Sequence, residues 1–109
     1  MASGLEGQRF AFCGYLPRGK AEREARIREL ERRSRKESQT EIFIETPYRN
    51  DELMKSLLGV CSLETRLCVA ADLTLPTESI TTQSVKQWRR AGAAPGRRPA
   101  VFLLLADTR

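Results

Sequence analysis

The stretch EIFIETPYRN, Glu41 to Asn50, decides how the rest of the chain is read. Ile42, Phe43 and Ile44 form a short run of β-branched and aromatic side chains, which suits a pleated, buried surface. Thr46 and Pro47 stop it. Asn50, Asp51 and Glu52 then lead into Leu53, Met54, Leu57 and Leu58, spaced as one face of a helix. Pro47 suits a first helical position, with Thr46 or Asn50 as the cap. The predicted helix spans 48–58, with Gly59 as its stop. A strand that runs through a polar turn into a helix is where α/β proteins commonly place ligand sites. The helix start also offers unpaired backbone N–H groups.

Outward from this unit, RFAFC at 9–13 reads as a strand with Phe10 and Phe12 on one side, closed by Gly14 and Pro17. Residues 20–36 read as a helix. Glu22/Arg26, Glu24/Arg28, Glu29/Arg33 and Glu31/Arg35 are acid-before-base pairs at i,i+4, each worth about 0.2–0.5 kcal/mol. Its apolar stripe, Ala21, Ala25, Ile27 and Leu30, is thin and predicts a surface helix. TRLCVAADL at 65–73 has the near-continuous apolar character of a strand buried on both faces. After Pro76, residues 79–81 suggest a brief strand, and Val85 and Trp88 anchor a short third helix that Gly92 ends. The loop 91–99 precedes a last strand, apolar from Ala100 to Ala106, that should lie centrally. This order predicts an α/β fold: a single domain with a mixed, mainly five-stranded sheet and helices on its faces.

A chain of 109 residues builds one core, not two. No apolar stretch reaches the roughly 20 residues of a membrane span, and the first residues lack the pattern of a secretory signal. A cytoplasmic protein is the expectation. Cys13, Cys61 and Cys68 have no CxxC spacing and there is no histidine, so three thiols in a reducing compartment explain them better than a metal site. The missing histidine also removes Ser–His and Cys–His nucleophile pairs. Residues 18–36 carry nine basic and four acidic side chains, which accounts for the whole net charge of +5. A basic partner surface would therefore be one helix rather than the whole domain.

Four places are candidates for function. The first is the turn Glu45-Thr46-Pro47-Tyr48-Arg49, which a capped connection with solvated Glu45 and Arg49 explains equally well. The second is Ala71 to Thr77, where small and hydroxyl residues follow a buried strand. The third is Arg97-Arg98-Pro99-Ala100, entering the last strand with Pro at a position strands tolerate. The fourth is the basic helix, whose internal pairs make a solvated surface helix the plainer reading. Arg18, Lys20, Arg23, Arg32 and Lys36 have no partner in the i,i+4 pattern, and a phosphate backbone is a fitting target for them. LPRGK lacks the spacing of a phosphate-binding loop, and no strand shows the aromatic pattern of an RNA-recognition motif.

Taken in order, the blocks SGL followed by RFAFCGYLPR, then IFIETPYR, VAADLTLPTE and RPAVFLLLA resemble the C-terminal half of tetrapyrrole-methylase-type methyltransferases. The likeness is nearest to the ribosomal RNA small subunit methyltransferase I branch, which 2′-O-methylates small-subunit RNA. It implies a two-domain enzyme with S-adenosylmethionine between the domains. This chain, 1–109, would be the C-terminal domain, with the glycine-rich N-terminal domain absent and residues 1–5 belonging to a bridging helix. The resemblance places cofactor contacts near Ile44, Glu45, Thr46, Ala71, Asp72, Thr74, Pro99 and Ala100; in such an enzyme the unpaired cations Arg18, Lys20 and Arg23, with Arg49, would face RNA. It assigns no catalytic residue and no metal. It also implies ribosomal RNA or the small ribosomal subunit as partner and little activity of this part alone; edges and apolar surface left by a missing partner domain would favour a homodimer. Tyr48 and Ala71 depart from the histidine and arginine of the RNA branch, and Pro99-Ala100 is nearer to the tetrapyrrole members. Substrate therefore stays open between RNA and a tetrapyrrole. A non-catalytic RNA-binding or dimerisation module is the alternative.

Overall fold

Pairing of five strands into one mixed sheet organises the chain, and the computed structural model describes residues 9–92 and 95–106 of it. The elements follow as β1 (Phe10–Tyr15), α1 (Lys20–Glu37), β2 (Thr40–Ile44), α2 (Asn50–Val60), β3 (Arg66–Ala71), β4 (Ser79–Ser84), α3 (Val85–Ala91) and β5 (Ala100–Leu105). A short 3-10 turn, Pro47–Arg49, precedes α2. The strand order is β1-β2-β5-β3-β4. Only β1 and β2 run parallel, joined by α1 as a crossover; every other pairing is antiparallel. The most apolar strands, β5 and β3, sit side by side within the sheet, as their composition requires.

The two faces of the sheet differ in kind. Ile27, Leu30, Leu53, Leu57, Val85 and Trp88 from the helices pack on Phe43, Phe102, Leu104, Leu67 and Val69 from the strands. Phe43 and Phe102 are opposed in register, and their rings stack at 5.9 Å between centroids. The Trp88 indole N–H donates to the Leu67 carbonyl at 2.8 Å, which fixes α3 against β3. On the other face Cys68 and Leu103 pack only with strand residues, Ile42, Ile80, Val101 and Leu105. The described helices thus gather on one face of the expected sheet.

Several local expectations change. β1 extends to Tyr15 because an irregularity between Phe12 and Gly14, with Gly14 at φ 69°, lets the strand bend and continue. The buried stripe of α1 is Arg23, Ile27, Leu30, Glu31 and Ser34 rather than one of alanines; Ala21 and Ala25 are exposed. Residues of its predicted internal ion pairs take tertiary partners, and Glu29 faces Arg26 within the helix rather than Arg33. Arg33 bonds Glu41 on β2, and Glu31 accepts from Ser62 N–H at 2.8 Å and Thr65 Oγ1 at 2.6 Å. A buried carboxylate gains more from such direct donors than from a solvated i,i+4 partner. Gly59 lies inside α2, which ends one residue later at Val60. Neither Thr46 nor Asn50 caps a helix with its side chain. β4 is a full six-residue strand, paired along the whole of β3.

Candidate functional site

The predicted turns converge because of the sheet's topology. β2 and β3 end, and the antiparallel β5 begins, at the same edge of the sheet. Ile44 is opposite Val101, and Ala71 is opposite Ala100, so the turns after β2 and β3 flank the turn before β5. Between them lies an open cleft of about 510 Å³ lined by Ile44, Glu45, Thr46, Asp72, Pro99 and Ala100. That volume falls in the range of small-ligand sites, roughly 300–1,000 Å³. These six were singled out from sequence. Two others fall elsewhere. Ala71 is buried beneath the cleft floor at 1% exposure, and Thr74 lies in the exposed turn with its N–H donating to Glu78 Oε1 at 2.9 Å.

Pro47, Leu73 and Leu75, from the turns already singled out, also line the cleft, and Tyr15, Ala70 and Val101 join them unanticipated. Ala70 and Val101 are register partners on the helix-free face. Their period-two spacing from Cys68 and Leu103 was the available signal, but only the pairing shows which face carries the opening. Tyr15 enters through the irregularity in β1, which no local pattern announces.

Hydrogen bonds hold the rim in place. Asp72 N–H donates to Pro99 O at 2.9 Å. The Asp72 carboxylate accepts from Arg98 Nε at 2.7 Å and Thr77 Oγ1 at 2.8 Å. Those donors hold its carboxyl below the usual carboxylate range. Asp72 and Thr74 have φ of 52° and 68°, a left-handed backbone that a β-branched residue such as Thr74 rarely adopts. Glu45 is nearly buried. It accepts from Thr46 N–H at 2.8 Å and faces Arg49 Nε at 3.5 Å. Asn50, fully buried, donates from Nδ2 to Gly96 O at 3.0 Å and Arg98 O at 2.6 Å, tying α2 to the loop before β5. At the mouth the Arg97 guanidinium lies over the exposed Tyr48 ring at 5.3 Å.

The cleft is well suited to hold a flat, partly apolar ligand. Ala70, Pro99 and Ala100 let such a ligand approach the backbone, and Leu73 and Leu75 give apolar cover. Burial pushes the thiols of Cys13, Cys61 and Cys68 up, so none is poised as a thiolate. All three are unpaired, and no group of three metal-ligating side chains occurs among the described residues. No helix among them is long and apolar enough to cross a membrane.

The predicted RNA contacts are placed around a second cleft. Arg18, Lys20 and Arg23 line it, and Arg49 bridges the two clefts by donating from Nη2 to Arg18 O at 3.0 Å. The SGL block and residues 1–5 lie outside the described residues.

No family model matches the sequence, and neither does any curated protein. Solved structures do share the fold. The methyltransferase CobJ is similar at a TM-score of 0.61 and 18% identity over 96% of this chain and 44% of its own. Uroporphyrin-III C-methyltransferase from Thermus thermophilus, complexed with S-adenosylhomocysteine, gives 0.56 and 17% over 96% and 44%. Cobalt-precorrin-4 methyltransferase CbiF gives 0.54 and 19% over 91% and 41%. The chain therefore has an α/β fold found within these methyltransferases, and it spans less than half the length of each.

Proposed function

We propose that the cleft between the turns after β2 and β3 and the turn before β5 is one wall of an S-adenosylmethionine site in a methyltransferase. The observation that carries this reading is the convergence of Ile44, Glu45, Thr46, Asp72, Pro99 and Ala100 on one opening. Small residues there admit an adenine ring, and buried Glu45 offers a carboxylate to a ribose hydroxyl. The cofactor itself supplies an electrophilic methyl group on a sulfonium. Transfer from it depends on positioning and exclusion of water more than on a strong base. A site without histidine suits that chemistry.

The substrate we favour is small-subunit ribosomal RNA, methylated at a ribose 2′-hydroxyl, in a cytoplasmic enzyme. The sequence blocks nearest the RNA branch and the cations Arg18, Lys20, Arg23 and Arg49 beside the cleft support this choice. A tetrapyrrole is the alternative, and the solved relatives named above favour it.

Calorimetric titration with S-adenosylhomocysteine tests the cofactor reading. Saturable binding, weakened at least tenfold (about 1.4 kcal/mol) by Thr46→Lys and by Pro99→Tyr, is the expected result. Absence of binding at millimolar ligand would overturn it. A non-catalytic module that associates with itself would then come first. One observation favours that second reading: β1 presents Phe12 at 70% and Tyr15 at 64% exposure beside the helix-free face. Apolar patches of this kind mark association surfaces, and a homodimer is the assembly we propose for it.

A further inference from the structure

The second cleft, about 520 Å³, lies between the start of α1 and the side of α2. Its charged lining is four cations, Arg18, Lys20, Arg23 and Lys55, against two carboxylates, Glu24 and Glu52. Glu52 already faces Arg49 Nη2 at 3.7 Å, whereas Arg18, Lys20 and Lys55 have no carboxylate partner among the described residues. The Glu22 carboxylate lies beside Gly19 at the helix start, so that end already carries a negative charge and the excess positive charge comes from side chains.

Arg23 is the unusual member. It is only 5% exposed, yet it lines the cleft. Its Nε donates to Ser56 Oγ at 2.9 Å and its Nη1 to Arg18 O at 2.8 Å, which locks the guanidinium plane. Among the described residues Nη2 has no partner, and it is not sealed from solvent. A guanidinium held by two of its nitrogens with the third left open is prepared for an anion, because little side-chain freedom remains to be lost on binding. The Arg18 carbonyl accepts from both Arg23 and Arg49, so this cleft is mechanically joined to Glu45 at the cofactor wall.

We infer that this cleft binds a phosphate group, held by Arg23 Nη2 with Arg18, Lys20 and Lys55 closing around it. Resting on the RNA reading above, the phosphate is a diester of the substrate strand. The cleft then anchors the strand one step away from the methyl-transfer site.

The test uses the full chain with a labelled single-stranded RNA, measured by fluorescence anisotropy across a salt series. The variant is Arg18→Ala/Lys20→Ala/Lys55→Ala, at exposed side chains that make no hydrogen bond or ion pair among the described residues. Its charge-matched control is Arg66→Ala/Lys86→Ala/Arg90→Ala on β3 and α3, all exposed. Affinity for RNA should fall about tenfold or more in the first variant, with the slope of log K against log salt reduced by about 2. The control should keep the wild-type slope. Equal losses in both variants, or an unchanged slope in the first, would overturn the site. A parallel titration with inorganic phosphate separates the sources. Phosphate binding lost in the first variant while RNA binding persists would overturn the diester assignment. S-adenosylhomocysteine binding should survive in the first variant. If wild type binds RNA as described but no S-adenosylhomocysteine, the cofactor reading fails and this one stands.

Discussion

Arg98 donates from Nε to the Asp72 carboxylate at 2.7 Å and joins the turn before β5 to the turn after β3 across the mouth of the candidate cofactor cleft. The same guanidinium donates from Nη2 to Thr77 O at 2.5 Å. One side chain thereby holds both ends of the loop that the left-handed residues Asp72 and Thr74 turn sharply. The contact sets the shape of the rim.

A pH dependence follows from this pair. The Asp72 carboxyl is depressed in the folded state by Arg98 and Thr77. Its contribution is therefore present above the unfolded pKa of about 4 and lost as pH falls through the lower folded value. Thermal melts between about pH 2.5 and 5 should show a stability loss on acidification that is shallower in Asp72→Asn. Identical slopes in the two proteins would show that the pair does not contribute.

The ion pair between α1 and β2 should matter more. Glu41 is completely buried and accepts from Arg33 Nη2 at 2.5 Å, Arg33 Nε at 3.1 Å and Gln39 Nε2 at 3.0 Å. Arg33→Met leaves that carboxylate with Gln39 and the weak Cys13 thiol donor and should cost about 2–3 kcal/mol, less than a fully buried pair because Arg33 itself is partly solvated. Arg33→Met combined with Glu41→Leu should recover most of the loss in urea unfolding. A double variant no more stable than the single would refute this.

Asn50 links core and site. Asn50→Ala removes both bonds to Gly96 O and Arg98 O and should cost about 1–3 kcal/mol. Because the loop it holds carries Pro99, affinity for S-adenosylhomocysteine should fall as well, measured at a temperature where the variant is folded. Lower stability with unchanged affinity would separate the loop from the ligand.

Phe12 and Phe102 make a contrasting pair. Phe102→Ala, in the stacked and fully buried position, should cost about 3–5 kcal/mol. Phe12→Ser, at a largely exposed position, should change stability by only about 0.5 kcal/mol. If the helix-free face is the proposed dimer contact, Phe12→Ser should also shift sedimentation toward the monomer.

Local pattern was enough for the elements themselves. The 3.6-residue and two-residue periods, Pro47, Gly92 and the apolar runs around Val69 and Leu103 place each strand and helix within a few residues, since these signals act through neighbours in sequence. Pattern also marked the three turns, because polar and small residues after apolar strands stand out. Pairing decided the rest. Arg33 turned to the buried Glu41, and Glu31 took Ser62 and Thr65 as donors, once the sheet brought them near. Arg23, a solvated cation by pattern, became a buried one with a single open edge. The three turns form one cleft only because β5 lies antiparallel between β2 and β3, which brings Ala100 opposite Ala71 and Val101 opposite Ile44. Contacts at such separations depend on where the strands sit in space, and nothing in the spacing of nearby residues encodes that.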